Sequence, residues 1–204
     1  MRTLSFWSAV MLLGVVEAAV AQPAYVVPGK RTEAGPFKEG EASFSCPGEQ
    51  VMTGRRHSGD ENGSTWYECA NLMVQGWDPK HYQIMVGSYE WSEWKKESSG
   101  DYFRAPQGRV IVGREHKGDH NEDTRYQTAV VVVNNKATLV GDSVESEEVK
   151  ESSGEWLRSP TRMVMTGRQH SGDENGKTKQ QYSVVQVDPA VAASVQALMM
   201  QGSP

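Results

Sequence analysis

Short runs of strand-forming residues alternate with dense clusters of turn residues along most of this chain. Three such runs begin with valine, at 51–53, 110–112 and 164–166. Turn residues follow, and a second strand-forming run completes each pattern at 65–69, 124–133 and 181–187. The pattern predicts three β-hairpins. The continuously apolar stretch 129–133 predicts a strand that is buried on both faces.

Segments 82–86 and 137–140 read as further short strands, so each hairpin belongs to a unit of about four strands. One helix is predicted near 189–201, because Asp188 suits the cap and Pro189 suits the first helical position. Its apolar face is predicted to contain Val191, Val195, Leu198 and Met199.

One sequence motif, built around Gly-Arg-x-His-x-Gly-Asp and called the repeated phrase below, recurs in all three hairpins. The glycines that anchor it, Gly54, Gly113 and Gly167, lie 59 and 54 residues apart. A second block, Lys-Glu-Ser-Ser-Gly, occurs at 96–100 and 150–154, with a looser version at 38–41. The repeats extend over about 38–95, 96–149 and 150–187. We therefore predict an all-β single domain of three four-strand-like units with approximate threefold symmetry, plus one C-terminal helix. A β-prism, a β-trefoil and a short propeller all remain compatible.

Residues 1–21 have the features of a secretory signal peptide: basic Arg2, an apolar run, and the small-x-small sequence Ala19-Val20-Ala21. The folded domain is then predicted to be 22–204, in the periplasm or secreted, without a membrane span. The net charge of −5 argues against a nucleic-acid partner. Cys46 and Cys69 flank the first hairpin and predict a disulfide.

The core of the repeated phrase is Gly-Arg-x-His-x-Gly-Asp, followed by further acidic and amide residues. The candidate binding residues are Arg55, His57, Asp60, Glu61, Asn62, Arg114, His116, Asp119, Arg168, His170, Asp173, Glu174 and Asn175. In a structural interpretation, each arginine pairs with the acidic turn of its own hairpin, and each histidine donates to a turn carbonyl.

Two metal hypotheses arise from the same phrase. The hard oxygen donors suggest calcium at Asp60, Asp119 and Asp173, although the spacing is not that of an EF-hand. Convergence of the three histidines would instead suggest zinc. A triplicated site is unusual for catalysis, so we predict a binding protein and no enzyme. Tryptophans outside the signal suggest core packing or a platform for a sugar or a protein: Trp66, Trp77, Trp91, Trp94 and Trp156.

The first repeat resembles repeats in periplasmic immunity proteins of type VI secretion, which neutralise peptidoglycan-degrading effectors. The resemblance is carried by Cys46-Pro47, Val51-Met52-Thr53-Gly54-Arg55, His57, Gly59-Asp60-Glu61-Asn62-Gly63, Thr65, Tyr67 and Cys69. It covers about 38–71, 96–133 and 150–187. The middle repeat departs from the pattern at His120 and at Glu122-Asp123.

That resemblance implies an all-β inhibitor that lays acidic loops into the cleft of a secreted cell-wall hydrolase. Calcium is associated with some effector–immunity pairs, so the resemblance leaves calcium possible. The alternative hypothesis is a secreted lectin-like protein that binds a glycan, with or without calcium.

Overall fold

The computed structural model describes residues 21–60, 63–118, 123–173 and 175–201. The predicted signal peptide therefore lies almost entirely outside the described residues. The strands are β1 Tyr25–Lys38, β2 Ser43–Ser45, β3 Val51–Ser58, β4 Ser64–Val74, β5 Ile84–Trp91, β6 Lys95–Lys96, β7 Phe103–Arg104, β8 Arg109–Lys117, β9 Asp123–Val133, β10 Lys136–Ala137, β11 Leu139–Glu145, β12 Val149–Lys150, β13 Leu157–Arg158, β14 Met163–Ser171 and β15 Lys177–Gln186. Short 3-10 turns occupy Glu39–Glu41 and Pro79–His81, and the helix α1 is Pro189–Gln201. The all-β prediction with one C-terminal helix is confirmed.

Three long antiparallel hairpins dominate the structure: β3–β4, β8–β9 and β14–β15. In each of them the register shifts at the same point, just before Gly54, Gly113 and Gly167. A β-carbon at these glycines would lie 2.8–2.9 Å from a backbone carbonyl of the short strand that crosses there. Glycine is therefore required at this position of each hairpin, because only a residue without a side chain lets the crossing strand approach so closely.

The short crossing strands link the three hairpins in a closed cycle. Strand β2, from the first unit, pairs with β8 of the second. Strand β7, from the second unit, pairs with β14 of the third. Strand β13, from the third unit, pairs with β3 of the first. Each unit therefore contributes one edge to the next, and no hairpin is left without such a neighbour.

Longer strands complete the sheets outside this cycle. Strand β1 pairs with β4 and reaches β15, while β5 pairs with β9 and β11 pairs with β15. The pairings form a nine-stranded and a six-stranded sheet. Their buried side chains form two apolar clusters. One is rich in valine and includes Val191 and Val195 of α1. The other contains methionine, tyrosine and the two cysteines.

Two details of the sequence prediction are wrong. In the stretch 129–133, Val130 and Val132 are partly exposed, so β9 alternates between its faces instead of being buried on both. In α1, Leu198 is 59% exposed, whereas Val191 and Val195 are buried as predicted. The helix begins where it was predicted to begin, because Asp188 Oδ1 accepts the backbone N–H of residue 190 at 2.9 Å.

Cys46 and Cys69 form a disulfide, as predicted. Both cysteines are buried against the methionine and tyrosine cluster. Within the described part of the chain, no helix has the length and apolar character needed to cross a membrane.

Candidate functional site: a buried charged ring beneath three exposed turns

The arginine of each repeated phrase points into the protein. Arg55, Arg114 and Arg168 are only 3%, 1% and 1% exposed. The register shift explains why. In regular strands side chains alternate between faces, but the extra residue before the phrase reverses this alternation locally. The shift lies between Met52 and Gly54, directly before Arg55, and residues 51 to 55 are all buried.

The three arginines form a closed ring with three buried glutamates, Glu39, Glu97 and Glu151. Three of the contacts are Arg55 Nη2 to Glu39 Oε1 at 3.1 Å, Arg114 Nη2 to Glu39 Oε1 at 2.8 Å, and Arg168 Nη2 to Glu151 Oε1 at 2.9 Å. The remaining three join Arg55 to Glu151, Arg114 to Glu97, and Arg168 to Glu97. Each arginine thus bridges two glutamates, and each glutamate bridges two arginines.

The prediction that each arginine pairs with the acidic turn of its own hairpin is wrong for Arg55 and Arg168. Their Nη atoms contact the ring glutamates. Their Nε atoms have no hydrogen-bond partner among the described residues. The guanidinium groups therefore connect different units, although Arg55 Nη2 also donates to Thr65 Oγ1 of its own hairpin at 3.4 Å.

Each histidine of the phrase lies beside one ring glutamate and is also buried. The Nδ1 atoms of His57, His116 and His170 lie 3.3, 2.7 and 3.6 Å from a carboxylate oxygen of Glu39, Glu97 and Glu151, respectively. The other ring nitrogen of His170, Nε2, contacts the carbonyl oxygen of Gly172 in the turn at 3.1 Å. That contact agrees with the predicted donation to a turn carbonyl.

The ring is electrically balanced, and its members are held in the charged state. Burial opposes ionisation of Glu39, Glu97 and Glu151, but the attraction of the adjoining arginines outweighs burial. The pKa of each of these carboxyls is therefore well below its usual range. Burial also opposes the charge on Arg114 and Arg168, yet the glutamates raise the pKa of both well above the usual value.

The ring also contains the one group of potential metal ligands that the described residues form. Ligand atoms of Glu39, Glu97 and His116 lie within 4.8 Å of one another. However, Arg114 contacts both of these carboxylates. Its guanidinium already provides the positive charge that a metal ion would bring. The three histidines do not form such a group together, so the zinc hypothesis gains no support from their positions.

Above the ring, each hairpin turn is attached to the Lys-Glu block of another unit. Gly59 N–H donates to Ser152 O at 3.4 Å, Gly118 N–H to Gly40 O at 3.0 Å, and Gly172 N–H to Ser98 O at 3.2 Å. Each of these acceptors follows a ring glutamate directly in sequence. All three turns therefore lie around the ring at one end of the protein.

The described aspartates of these turns are exposed to solvent, whereas Gly63 at the end of the first turn is buried. Asp60, Asp173 and Asn175 are exposed, and Asp173 Oδ1 accepts the backbone N–H of Asn175 at 3.0 Å. Neither Asp60 nor Asp173 belongs to the cluster of potential metal ligands that Glu39, Glu97 and His116 form. The other predicted turn residues, Glu61, Asn62, Asp119 and Glu174, lie outside the described residues, so the proposed calcium ligand Asp119 has no described position.

The five tryptophans among the described residues divide into one core residue and four partly buried ones. Trp77 is buried in the valine-rich cluster, at 8% exposure. The others are partly buried, and a cation covers each of them. Their partners are Arg56 over Trp66 at 4.0 Å, Arg125 over Trp91 at 4.8 Å and over Trp94 at 4.4 Å, and Arg158 over Trp156 at 4.1 Å. These distances are typical of cation–π contacts, which leave less of each indole face for a ligand.

Sequence reasoning identified the arginines and histidines but missed Glu39, Glu97 and Glu151 as their partners. The signal was present, because each glutamate lies in the repeated Lys-Glu block. No protein-family model, curated protein or solved structure matches this chain.

Proposed function

We propose that this protein is an exported binding protein of the immunity type, which inhibits a cell-wall-degrading effector by placing its turns against the effector's cleft. The observation that carries this proposal is the attachment of all three exposed turns around one buried ring. Resemblance of the repeated phrase to periplasmic immunity proteins supports the same function, and the disulfide fits an oxidising compartment.

A fixed set of turns suits inhibition for a thermodynamic reason. Binding is weakened by the entropy lost when loops become ordered, and turns that are already held lose less. Several modest contacts on one rigid face also act together. In this proposal the buried arginines and histidines hold the turns in place, and the exposed turn residues contact the effector.

The exposed carboxylates of Asp60 and Asp173 favour a partner whose cleft is positively charged. Attraction of this kind speeds association and weakens with added salt. We therefore expect the association rate to fall as the ionic strength rises, while dissociation changes little.

The test combines inhibition assays with matched variants. The protein from residue 22 onward is titrated against purified peptidoglycan amidases and glycosidases. Asp60→Asn and Asp173→Asn remove turn charges. Glu49→Gln is the control, because Glu49 is exposed and lies just before β3, whose opposite end leads into the first turn. The two sites are separated by about 26 Å of extended strand.

We expect stoichiometric inhibition of one hydrolase class by the unmodified protein and by Glu49→Gln. The double variant Asp60→Asn, Asp173→Asn should bind at least about tenfold more weakly, because charges that a partner buries cost 2 kcal/mol or more, as an order of magnitude, when they are removed. Inhibition that survives the double variant would contradict a role for these turns. Sugar binding that the double variant abolishes, without any hydrolase inhibition, would favour the carbohydrate alternative.

A further inference from the structure

A groove of about 230 Å³ lies between the turn at 106–108 and strand β11, and it is open to solvent. The turn at 106–108 leads directly into β8, whereas the acidic turn of the same hairpin follows β8 at its other end. The groove is therefore distinct from the three exposed turns. Its polar lining residues include Arg104, Gln107, Asp142, Ser143, Gln181 and Ser183.

The groove exists because two corresponding strands with the same one-residue bulge carry different side chains beside it. In strand β5, Ser88 and Tyr89 lie between Gly87 and Glu90, opposite the single residue Ala129 of β9, so β5 has one extra residue. Strand β11 has a single extra residue at the corresponding point, Asp142, between Gly141 and Ser143. The backbone is strained in the same way in both strands, since Ser88 and Asp142 have φ angles of 54° and 29°. The Lys-Glu-Ser-Ser-Gly blocks that follow the two strands are 54 residues apart, as are Ser88 and Asp142, so Tyr89 corresponds to Ser143, whose side chain is much smaller.

Tyr89 shows what lies against the corresponding turn of the first unit. Its hydroxyl donates to the carbonyl of Val86 at 2.8 Å and contacts the carbonyl of Gly48 at 3.4 Å. Gly48 comes directly after Pro47 in its turn. The turn that lines the groove has a proline at the corresponding position, Pro106, followed by Gln107 and Gly108. At one turn, the chain itself supplies a six-membered ring that carries a hydroxyl group. At the other turn, the corresponding space is open.

The lining of the open groove indicates the chemistry of a ligand. Asp142 offers a carboxylate that accepts hydrogen bonds, and Gln107 and Gln181 offer amides that both donate and accept. Arg104 lies over the ring of Tyr102, with its guanidinium carbon 3.9 Å from the ring centroid. Within the protein, Gln181 Nε2 donates to Ser143 Oγ at 3.2 Å, and Arg104 lies 3.6 Å from a carboxylate oxygen of Glu145. A ring with several hydroxyls can bond Asp142 and both amides at once, whereas a ring with one hydroxyl cannot.

We propose that this groove binds one hexopyranose unit of a neutral saccharide. Its volume lies below the usual range for pockets that hold drug-sized ligands, roughly 300–1,000 Å³, so it suits one sugar ring. Asp142 accepts from adjacent ring hydroxyls, and the amide of Gln181 donates to a ring or hydroxyl oxygen. This site does not depend on the proposed inhibition of an effector.

Matched variants are available because of the correspondence between β5 and β11. A β-carbon added at Gly141 or at Gly87 meets no atom within 4 Å. Gly141→Trp therefore blocks the groove without a backbone clash. Gly87→Trp makes the same change at the corresponding point where Tyr89 is already present, and it serves as the control. Asp142→Asn removes the carboxylate while keeping a residue type that tolerates a positive φ.

The experiment titrates ¹⁵N-labelled protein with the methyl glycosides of glucose, galactose, mannose and N-acetylglucosamine, with tyramine as a phenolic comparison. We expect one glycoside to shift the resonances of Gly108, Gly141 and the Gln181 side chain. Asp142→Asn should raise the dissociation constant about tenfold. Gly141→Trp should abolish the shifts, while Gly87→Trp should leave them unchanged.

The turn variants Asp60→Asn and Asp173→Asn should also leave sugar binding unchanged, which separates this site from the proposed inhibitory face. If none of the four glycosides shifts the groove resonances, or if Asp142→Asn binds as tightly as the unmodified protein, the proposal is overturned. Tighter binding of tyramine than of every glycoside would overturn it in favour of a phenolic ligand.

Discussion

Replacing Arg168 with methionine tests whether the buried ring holds the three units together. Arg168 is 1% exposed and contacts Glu97, Glu151 and the hydroxyl of Tyr126. Methionine fills much of the same space but carries no charge. The ring would then contain three carboxylates and two guanidinium groups, which leaves one buried negative charge without compensation.

The expected loss follows from that unbalanced charge. Removing one partner of a buried ion pair costs about 3–5 kcal/mol, because the remaining charge stays in a poorly solvated place. Both Glu97 and Glu151 keep one arginine each, Arg114 and Arg55 respectively, so complete loss of folding is not expected. For a domain of this size, each kcal/mol corresponds to roughly 2–4 °C, so the melting temperature should fall by roughly 6–20 °C.

Urea denaturation measures this loss, and two further variants identify its cause. Arg104→Met removes an arginine whose side chain is 56% exposed and lies 3.6 Å from Glu145, so it should cost less than about 1 kcal/mol. The double variant Arg168→Met, Glu97→Gln restores neutrality of the ring. We expect its loss of unfolding free energy to be smaller than the sum of the losses in the two single variants by about 1–3 kcal/mol. The reasoning is refuted if Arg168→Met costs no more than Arg104→Met, or if the two ring changes are simply additive.

Three further predictions concern pH, the disulfide and calcium. Because folding holds the pKa values of Glu39, Glu97 and Glu151 well below the value of about 4.3 in an unfolded chain, the unfolded chain binds protons first as the pH falls. The ring's contribution should be fully present above roughly pH 5 and lost progressively below it, and an unchanged urea midpoint at pH 3 would contradict this. Replacing Cys46 and Cys69 with alanine should lower the free energy of unfolding by about 3 kcal/mol, measured by urea denaturation beside the unmodified oxidised protein. Calcium at Asp60, Asp119 and Asp173 stays a hypothesis that a chelator tests: a clear fall in the melting temperature would support it, and an unchanged melting temperature would count against it.

The features that sequence predicted correctly depend on local patterns. Hairpins follow from strand-forming runs around turn residues, and the helix start follows from the Asp188–Pro189 pair. The disulfide follows from two cysteines that flank one hairpin. In each case the residues that carry the signal lie close together in the sequence or on neighbouring strands.

One glutamate partner of each arginine lies 16 or 17 positions away in its own unit, but the other lies far away in the sequence and could not be identified in the same way. Arg55 contacts Glu151, 96 positions away, and Arg168 contacts Glu97, 71 positions away. These contacts depend on the order in which the hairpins close their cycle. That order is set by strands such as β7 and β13, which are only two residues long and show no periodicity. For Arg55 and Arg168, the turn aspartates Asp60 and Asp173 were nearer in sequence, but the ion-pair partners are the ring glutamates.

A charge argument would nevertheless have improved the prediction. An arginine repeated once per unit beside buried apolar residues requires a counter-charge repeated once per unit, because an unpaired buried charge is very costly. Two sets of acids recur with the arginines: the turn aspartates and the glutamates of the Lys-Glu block. Turn residues are normally exposed, so the block glutamates were the better candidates for buried partners.

The same reasoning indicates where the units can differ in function. The ring needs one arginine and one glutamate from every unit, and changes to either leave a buried charge unbalanced. The positions around the ring vary more between units. The residue opposite Arg168 on the neighbouring strand is Gln180, whereas the residue opposite Arg55 is Tyr67. The hydroxyl of Tyr182 then donates to Gln180 at 2.9 Å. At the surface, a serine at 143 in place of the tyrosine at 89 separates an open groove from a filled one. Selection for binding can therefore act on the bulges and turns of one unit without altering the ring that positions all three.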